Sequence, residues 1–377
     1  MKKKVGLVLP GGGARGAYQV GVLKAFLEIS KTKSKSPFDI YSGTSAGAIN
    51  GAFLASQAHI FDHSVVSLVD VWSNFTTNKV YKTDPITMFK SSVHWFLTIV
   101  SGGVLMPNPA SLLDNQPLRI LLRKRIKFPD IQNNVESSII ESLAVTSASY
   151  RSRKSCTFFQ ANSNVNNWRK THREGKKTTI NLDHLMASVA LPLIFPAVRI
   201  KDEYFGDGAM RQATPLSPAI RLGAEKLMII SAKETDDRFQ FNNPGEQYPS
   251  FAKITGYILE ALFLDGLYSD IERLNRINQI IKNSGDREIR TNNKTMKYVD
   301  YLVISPSEDL NEIAQKHYHN MPLSIRLLLQ GLGLLKDRKS ELLSFLLFES
   351  AYTNELIDLG YRDGIGKKEE IADFMNR

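Results

Sequence analysis

Three short stretches carry residue types suited to acyl-transfer chemistry. In Gly43-Thr44-Ser45-Ala46-Gly47 a serine stands among small residues, after the apolar run Phe38–Ser42 and before a small-residue helix pattern starting near Ala46. That is the strand–sharp turn–helix setting in which G-x-S-x-G becomes a nucleophile elbow. Such a turn forces the serine into an unfavourable backbone conformation with helix and strand almost touching, so only small residues fit around it; Gly43, Ala46 and Gly47 meet that demand. The helix N-terminus then points at the serine oxygen and favours negative charge there. The second stretch is Gly11-Gly12-Gly13-Ala14-Arg15-Gly16, whose bare backbone could offer N–H groups to an oxyanion. The third is Gly206-Asp207-Gly208-Ala209, an acid between glycines at the end of an apolar run. A plain Asp-Gly turn is the other use of that stretch.

Each stretch has a competing use. The glycine loop matches G-x-G-x-x-G between a strand and a helix, which is also the pattern of a dinucleotide site. A P-loop is excluded because Ala17-Tyr18 follows Gly16 where Lys and Ser/Thr would stand. Against a dinucleotide site, no strand ends in an acid about 20 residues further on; Asp39 falls within the run leading to Ser45. A Ser–Asp–His triad is permitted by chain order, since His317 and His319 follow Asp207. His59, His63, His94, His172 and His184 precede it and read as structural or surface residues.

The elements that must hold these residues read as alternating strands and helices. Val5–Leu9 is a continuous apolar run of the kind a central parallel strand needs, and the helix after the glycines is amphipathic. Further strands are expected at Leu143–Thr146, Thr157–Ala161, Leu227–Ala232 and Tyr301–Ser305, with a hairpin over Val198–Phe205 delivering Asp207. Ala187–Pro196 reads as a helix stopped by proline, and Asn162–Lys177 as a basic polar loop suited to phosphate. Between Phe61 and Lys127 the pattern is helical and uneven: His94–Val100 is apolar, prolines 107, 109 and 117 interrupt, and Arg119, Arg123, Lys124, Arg125 and Lys127 follow without an acid. That basic helix is either a solvated face or a lid or membrane-contact surface. Pro249–Lys282 reads as one long amphipathic helix, and Leu323–Phe348 as leucine-rich core, with docking on lipid or a partner as the alternative.

Composition bounds the answer. The chain has 377 residues, 42% hydrophobic and 23% charged, which are globular values. One cysteine, Cys156, rules out an intramolecular disulfide framework or a multi-cysteine metal site. The net charge of +10 suits an anionic membrane or solubility; without a nucleic-acid motif beside it, no nucleic-acid partner is expected. Lys2-Lys3-Lys4 before Val5–Leu9 imitates a signal peptide, but the apolar run stops at Pro10. With no run of 18 uncharged apolar residues, a soluble protein of a reducing, cytoplasmic compartment with peripheral membrane contact is expected.

Taken in order, Gly11–Gly16, Gly43–Gly47 and Asp207-Gly208-Ala209 resemble the patatin-like phospholipase family, and Ala187–Pro196 is similar to the family's proline-containing segment before its acid. The resemblance covers residues 4–235, taken as the catalytic domain; residues 236–377 are expected to form a helical C-terminal region with one further strand near 299–305. It implies an α/β fold with three α/β/α layers and a mostly parallel sheet. It further implies a Ser45–Asp207 dyad that uses no histidine, metal or organic cofactor. Ser45 would be the nucleophile and Asp207 the general base, with Gly12 and Gly13 amides as the oxyanion hole and Arg15 steadying that loop or the oxyanion. Gly11, Gly16, Gly43, Gly47 and Gly208 are the motif glycines. Pro10 departs from the Asp or Ser that many members carry there. The implied substrate is a membrane or micellar phospholipid or lysophospholipid. A thioesterase or acyltransferase, a general carboxylesterase, or a non-catalytic lipid-binding protein are the alternatives, beside a dinucleotide-dependent oxidoreductase.

Overall fold

The computed structural model describes residues 3–30, 34–84, 93–94, 97–98, 101, 111–162, 165–233, 254, 257–258, 261, 266–285, 288–291, 294–331 and 341–377. The strands are β1 (Val5–Leu9), β2 (Ile40–Thr44), β3 (Ser142–Ser149), β4 (Ser155–Ala161), β5 (Trp168–Arg169), β6 (Arg173–Lys177), β7 (Val198–Ile200), β8 (Glu203–Asp207), β9 (Lys226–Ile230), β10 (Glu288–Thr291), β11 (Lys294–Lys297) and β12 (Asp300–Ile304). The sheet runs β12-β9-β1-β2-β3-β4-β6-β5, with β8 on β3 and β7 on β8; β10 and β11 form a separate hairpin. From β12 to β3 every pairing is parallel, and the antiparallel pairings gather on the β3–β8 side. The parallel core is the expected one.

Strand alternation sorts the interior into two cores. Leu7 and Leu9 join one core while Val8 joins the other; Tyr41 and Ile40, and Met228 and Leu227, divide the same way. Because successive side chains point to opposite faces, a sheet this apolar must be covered on both. One face carries α1 (Gly16–Ser30), α2 (Ala46–Ser56) and α3 (Phe61–Ser73); α4 (Thr77–Val80), α5 (Gln116–Arg125) and α6 (Phe128–Glu136) extend that layer, and α7 (Leu182–Ser188) follows. The other face carries α8 (Ser217–Arg221) and α9 (Gly266–Asn283). Among the described residues the remaining α-helices are α10 (Leu310–Lys316), α11 (Leu323–Gly331), α12 (Glu341–Leu346), α13 (Ser350–Gly366) and α14 (Lys368–Asn376). Their segment is tied to the sheet domain twice. β12 is one edge strand of the sheet, and α13 lies so close on α1 that a Cβ at Gly21 would stand 2.0 Å from the Ile357 carbonyl oxygen.

Three expectations change, the first being that residues 236–377, expected to hold one further strand near 299–305, carry the β10–β11 hairpin as well as β12. The segment Asn162–Lys177, read as a loop, contains β5 and the five-residue strand β6, paired parallel to β4. Lys176 bridges Glu174 and Glu203, each at 3.0 Å, while Trp168 stacks on Phe159 with centroids 4.7 Å apart. Charged strands at the margin of a sheet, such as β6 beside the edge strand β5, lack the apolar signature of an interior one. The helix read within Ala187–Pro196 is α7, which starts earlier, at an Asn181 cap, and ends at Ser188. Of the long helix expected over Pro249–Lys282, the described part is α9; most of 249–265 lies outside the described residues, as do parts of 94–100, prolines 107 and 109, and residues 332–340 of the leucine-rich segment.

Candidate active site

Two strand pairings bring Ser45 and Asp207 together. β2 runs parallel to β3 as far as Thr44 opposite Thr146. At the next position along β3, Ser147, the partner is Asp207 at the end of β8. Asp207 therefore takes the place beside β3 that β2 vacates when the chain turns away at Ser45.

That turn is tight. Ser45 has φ 53 and ψ −127, a conformation costing about 1–3 kcal/mol for a residue with a Cβ. Its carbonyl accepts from Ala48 N–H at 2.9 Å and Ile49 N–H at 3.2 Å, so the turn feeds directly into α2. A Cβ on Gly43 would lie 2.4 Å from the Gly47 oxygen, and one on Gly47 would lie 1.9 Å from the Leu9 oxygen. The Ser45 N–H donates to Ser188 Oγ at 2.9 Å, and that hydroxyl donates to the Thr146 carbonyl at 2.6 Å. Ser188, which the sequence reading did not single out, thus ties the turn to β3. Replacing it by alanine orphans a buried N–H; a loss of about 1–3 kcal/mol in chemical denaturation, with slower ester turnover, is the expected result.

The same segment grips the acid. Asp207 N–H donates to the Ala190 carbonyl at 2.8 Å, and Ala209 N–H donates to Asp207 Oδ1 at 2.9 Å. Gly208 lies where a Cβ would be 2.2 Å from the Thr146 oxygen. Oδ2 is buried and has no hydrogen-bond partner among the described residues. Burial pushes the carboxyl up to about 7, against the opposing pull of the Ala209 N–H and the Ser45 hydroxyl. A carboxylate with one oxygen engaged, the other open, and a serine hydroxyl beside it is equipped to take a proton near neutral pH.

Gly11–Gly16 leads from β1 to α1 beside this pair. Gly11 and Gly12 are buried, Gly13 adopts φ +55 and Gly16 opens α1, packed between Ala46 and Trp72. Neither Gly12 nor Gly13 N–H donates to any described residue. Gly13, Ser45 and Asp207 share an apolar cavity of about 50 Å³, walled by Trp72, Phe75, Phe195 and Phe348. The Pro10 carbonyl accepts from Gln19 Nε2 at 2.9 Å; Gln19 in turn meets Asn50, whose amide also receives the Trp72 indole N–H at 2.9 Å. This buried network under the loop also escaped the sequence reading. Its signal was there: Asn50 is a polar residue deep within the apolar α2.

Of the two roles open to Arg15, its hydrogen bonds describe the steadying one. Wholly buried, it donates through Nε to Ser344 Oγ at 2.9 Å and through Nη2 to Asn311 Oδ1 at 2.7 Å, and its guanidinium lies 4.3 Å from the Phe345 ring centre. It fastens the glycine loop to the C-terminal segment.

None of the seven histidines lines the cavity. His317 pairs with Glu355 rather than with Asp207. His184 accepts the Asn181 N–H on Nδ1 as part of a capping box, and burial lowers its pKa to about 4. A folded His317→Ala, His319→Ala double variant is expected to keep ester turnover within about twofold of wild type; collapse of kcat in that variant would instead demand a triad.

The sequence matches the family model for patatin-like phospholipase over residues 7–220. Among curated relatives, lysophospholipase nte1 of Aspergillus terreus is 53% identical over 58 residues, which is 15% of this chain and 4% of that protein. Neuropathy target esterase sws of Drosophila persimilis is 37% identical over 99 residues, 25% of this chain and 6% of that protein. The chain thus spans only a small fraction of the length of the relatives it matches. The crystal structure of VipD from Legionella pneumophila aligns with 99% of this chain and 67% of its own, with a TM-score of 0.38 and 12% identity.

Proposed function

The chain belongs to the patatin-like phospholipase family, and on that premise we propose that it hydrolyses carboxylic ester bonds of phospholipids or lysophospholipids through an acyl-Ser45 intermediate. The observation that carries this reading is the uncommitted Oδ2 of buried Asp207, which lines an apolar cavity together with Ser45. Asp207 takes the Ser45 hydroxyl proton as the oxygen attacks the ester carbon. The Gly12 and Gly13 N–H groups meet the oxyanion, and the departing alcohol oxygen regains the proton from Asp207. Water then loses a proton to Asp207 and attacks the acyl-serine; fatty acid leaves and the proton returns to Ser45.

The base must be ionised to work, and its pKa lies near 7 rather than near 3.8. We therefore expect kcat/KM on a neutral ester to fall about tenfold per unit as pH drops below 7 and to level off above it. A flat profile from pH 5 to 8, measured with an uncharged ester, would place the base elsewhere.

Contact with a lipid surface has support in α5. Its Leu118 lines the Ser45 cavity, while Ile120, Arg123, Lys124 and Arg125 are exposed. An apolar residue amid cations beside a substrate cavity suits an anionic interface. Incubation with lysophosphatidylcholine micelles and phosphatidylcholine vesicles, followed by mass spectrometry, tests the reaction. Free fatty acid with an intact phosphoryl headgroup, absent with Ser45→Ala, is expected; release of the headgroup instead would refute ester hydrolysis.

A further inference from the structure

On the other face of the sheet, a cleft of about 300 Å³ is lined, among the described residues, by four cations, Arg173, Arg221, Arg273 and Lys297, and one carboxylate, Asp270. That carboxylate is already engaged: Oδ2 accepts the Leu216 N–H at 3.0 Å, and Oδ1 is 3.5 Å from an Arg273 nitrogen. Arg173 donates to the Thr214 hydroxyl, while Arg221 and Lys297 have no ion-pair partner among the described residues. The floor is apolar, with Ile220, Leu274 and Val299.

We infer that this cleft binds the phosphate group of an anionic ligand, held between Arg173 and Arg221. Like charges gathered around one occupied acid repel one another, and a doubly charged oxyanion relieves that repulsion while accepting planar guanidinium donors. Consistent with such crowding, burial and then the charge of Arg173 lower the pKa of Arg221. Position separates the cleft from the ester site. Arg173 opens β6 opposite Ser155, and Ser155 stands opposite Ala148 on β3, next to the Asp207 pairing at Ser147. Three strand spacings put it roughly 15 Å from Asp207, at the same end of the sheet. That is too far for the phosphate of the lipid being cleaved, so the ligand is a second molecule. This inference stands independently of the Ser45 chemistry.

Titration calorimetry with glycerol 3-phosphate and inorganic phosphate, and co-sedimentation with phosphatidylcholine vesicles with and without phosphatidic acid, test the cleft on the full chain. Saturable binding of either phosphate probe is expected, weakened about tenfold by Arg221→Gln and lost with Arg173→Gln added. Vesicle retention that needs phosphatidic acid and falls in the same variants identifies a lipid headgroup as the source; binding confined to soluble probes identifies a free phosphate. Arg221 is exposed, so its single variant remains informative if the double variant fails to fold. The proposal is overturned if neither probe nor phosphatidic acid binds, or if binding is unchanged in a folded Arg221→Gln variant.

Discussion

Replacing Asp207 by asparagine is expected to destroy activity and stabilise the fold together. Loss of the base lowers turnover of a soluble ester by about a thousandfold. Stability moves the other way. The folded carboxyl has its pKa raised by burial from 3.8 to about 7. With respect to this group, the native state is therefore most favoured below pH 4, loses that advantage as pH climbs through 7, and is level above it. At pH 8 the wild type keeps a buried charge that asparagine lacks, while the amide oxygen still accepts the Ala209 N–H. A gain of order a few kcal/mol follows at pH 8, shrinking towards zero near pH 4. Urea denaturation of both proteins at the two pH values measures it. An inactive variant no more stable than wild type at pH 8 would mean that Asp207 is not carrying a buried charge.

Gly47→Ala should abolish the site by moving it. The new Cβ would stand 1.9 Å from the Leu9 oxygen and 2.6 Å from the Pro10 oxygen, both main chain. Neither neighbour can rotate away, so α2 must lift off β1 and carry Ser45 with it. A cost of about 3 kcal/mol or more, with near-complete loss of turnover, is expected. Gly51→Ala, one turn further along α2, is the control. There the nearest atoms are side chains at 3.9 Å, and the helix gains about 0.5–1 kcal/mol from the better helix former. If both variants behave alike, close approach of helix and strand is not what Gly47 provides.

The contrast between those glycines also explains what the sequence reveals. The turn at Ser45 is legible because its demands fall within five consecutive residues, and β1, β2 and β8 are legible because their apolar runs end at Pro10 or at glycines. What local pattern cannot supply is the register between distant strands. That Ser147 faces Asp207 just beyond the end of β2 depends on the pairing of three separate segments. The grip of Ser188 and Ala190 on the two site residues follows from that register, as does the part played by Phe345 and Phe348, some 300 residues from Ser45, in closing the cavity. β6 escaped notice for a different reason: it carries Arg173, Glu174, Lys176 and Lys177, and the Glu203 that pairs with Lys176 stands on a separate hairpin. Arg15 lay between two readings until its partners, Asn311 and Ser344, were in place.

The most direct test of a Ser45 nucleophile driven by Asp207 is covalent labelling by a fluorophosphonate, with the modified peptide mapped by mass spectrometry. The account predicts a single adduct on Ser45, formed at an undiminished rate in the His317→Ala, His319→Ala protein and slowed at least about a hundredfold by Asp207→Asn. An adduct on another residue, or undiminished labelling of a folded Asp207→Asn protein, would contradict it.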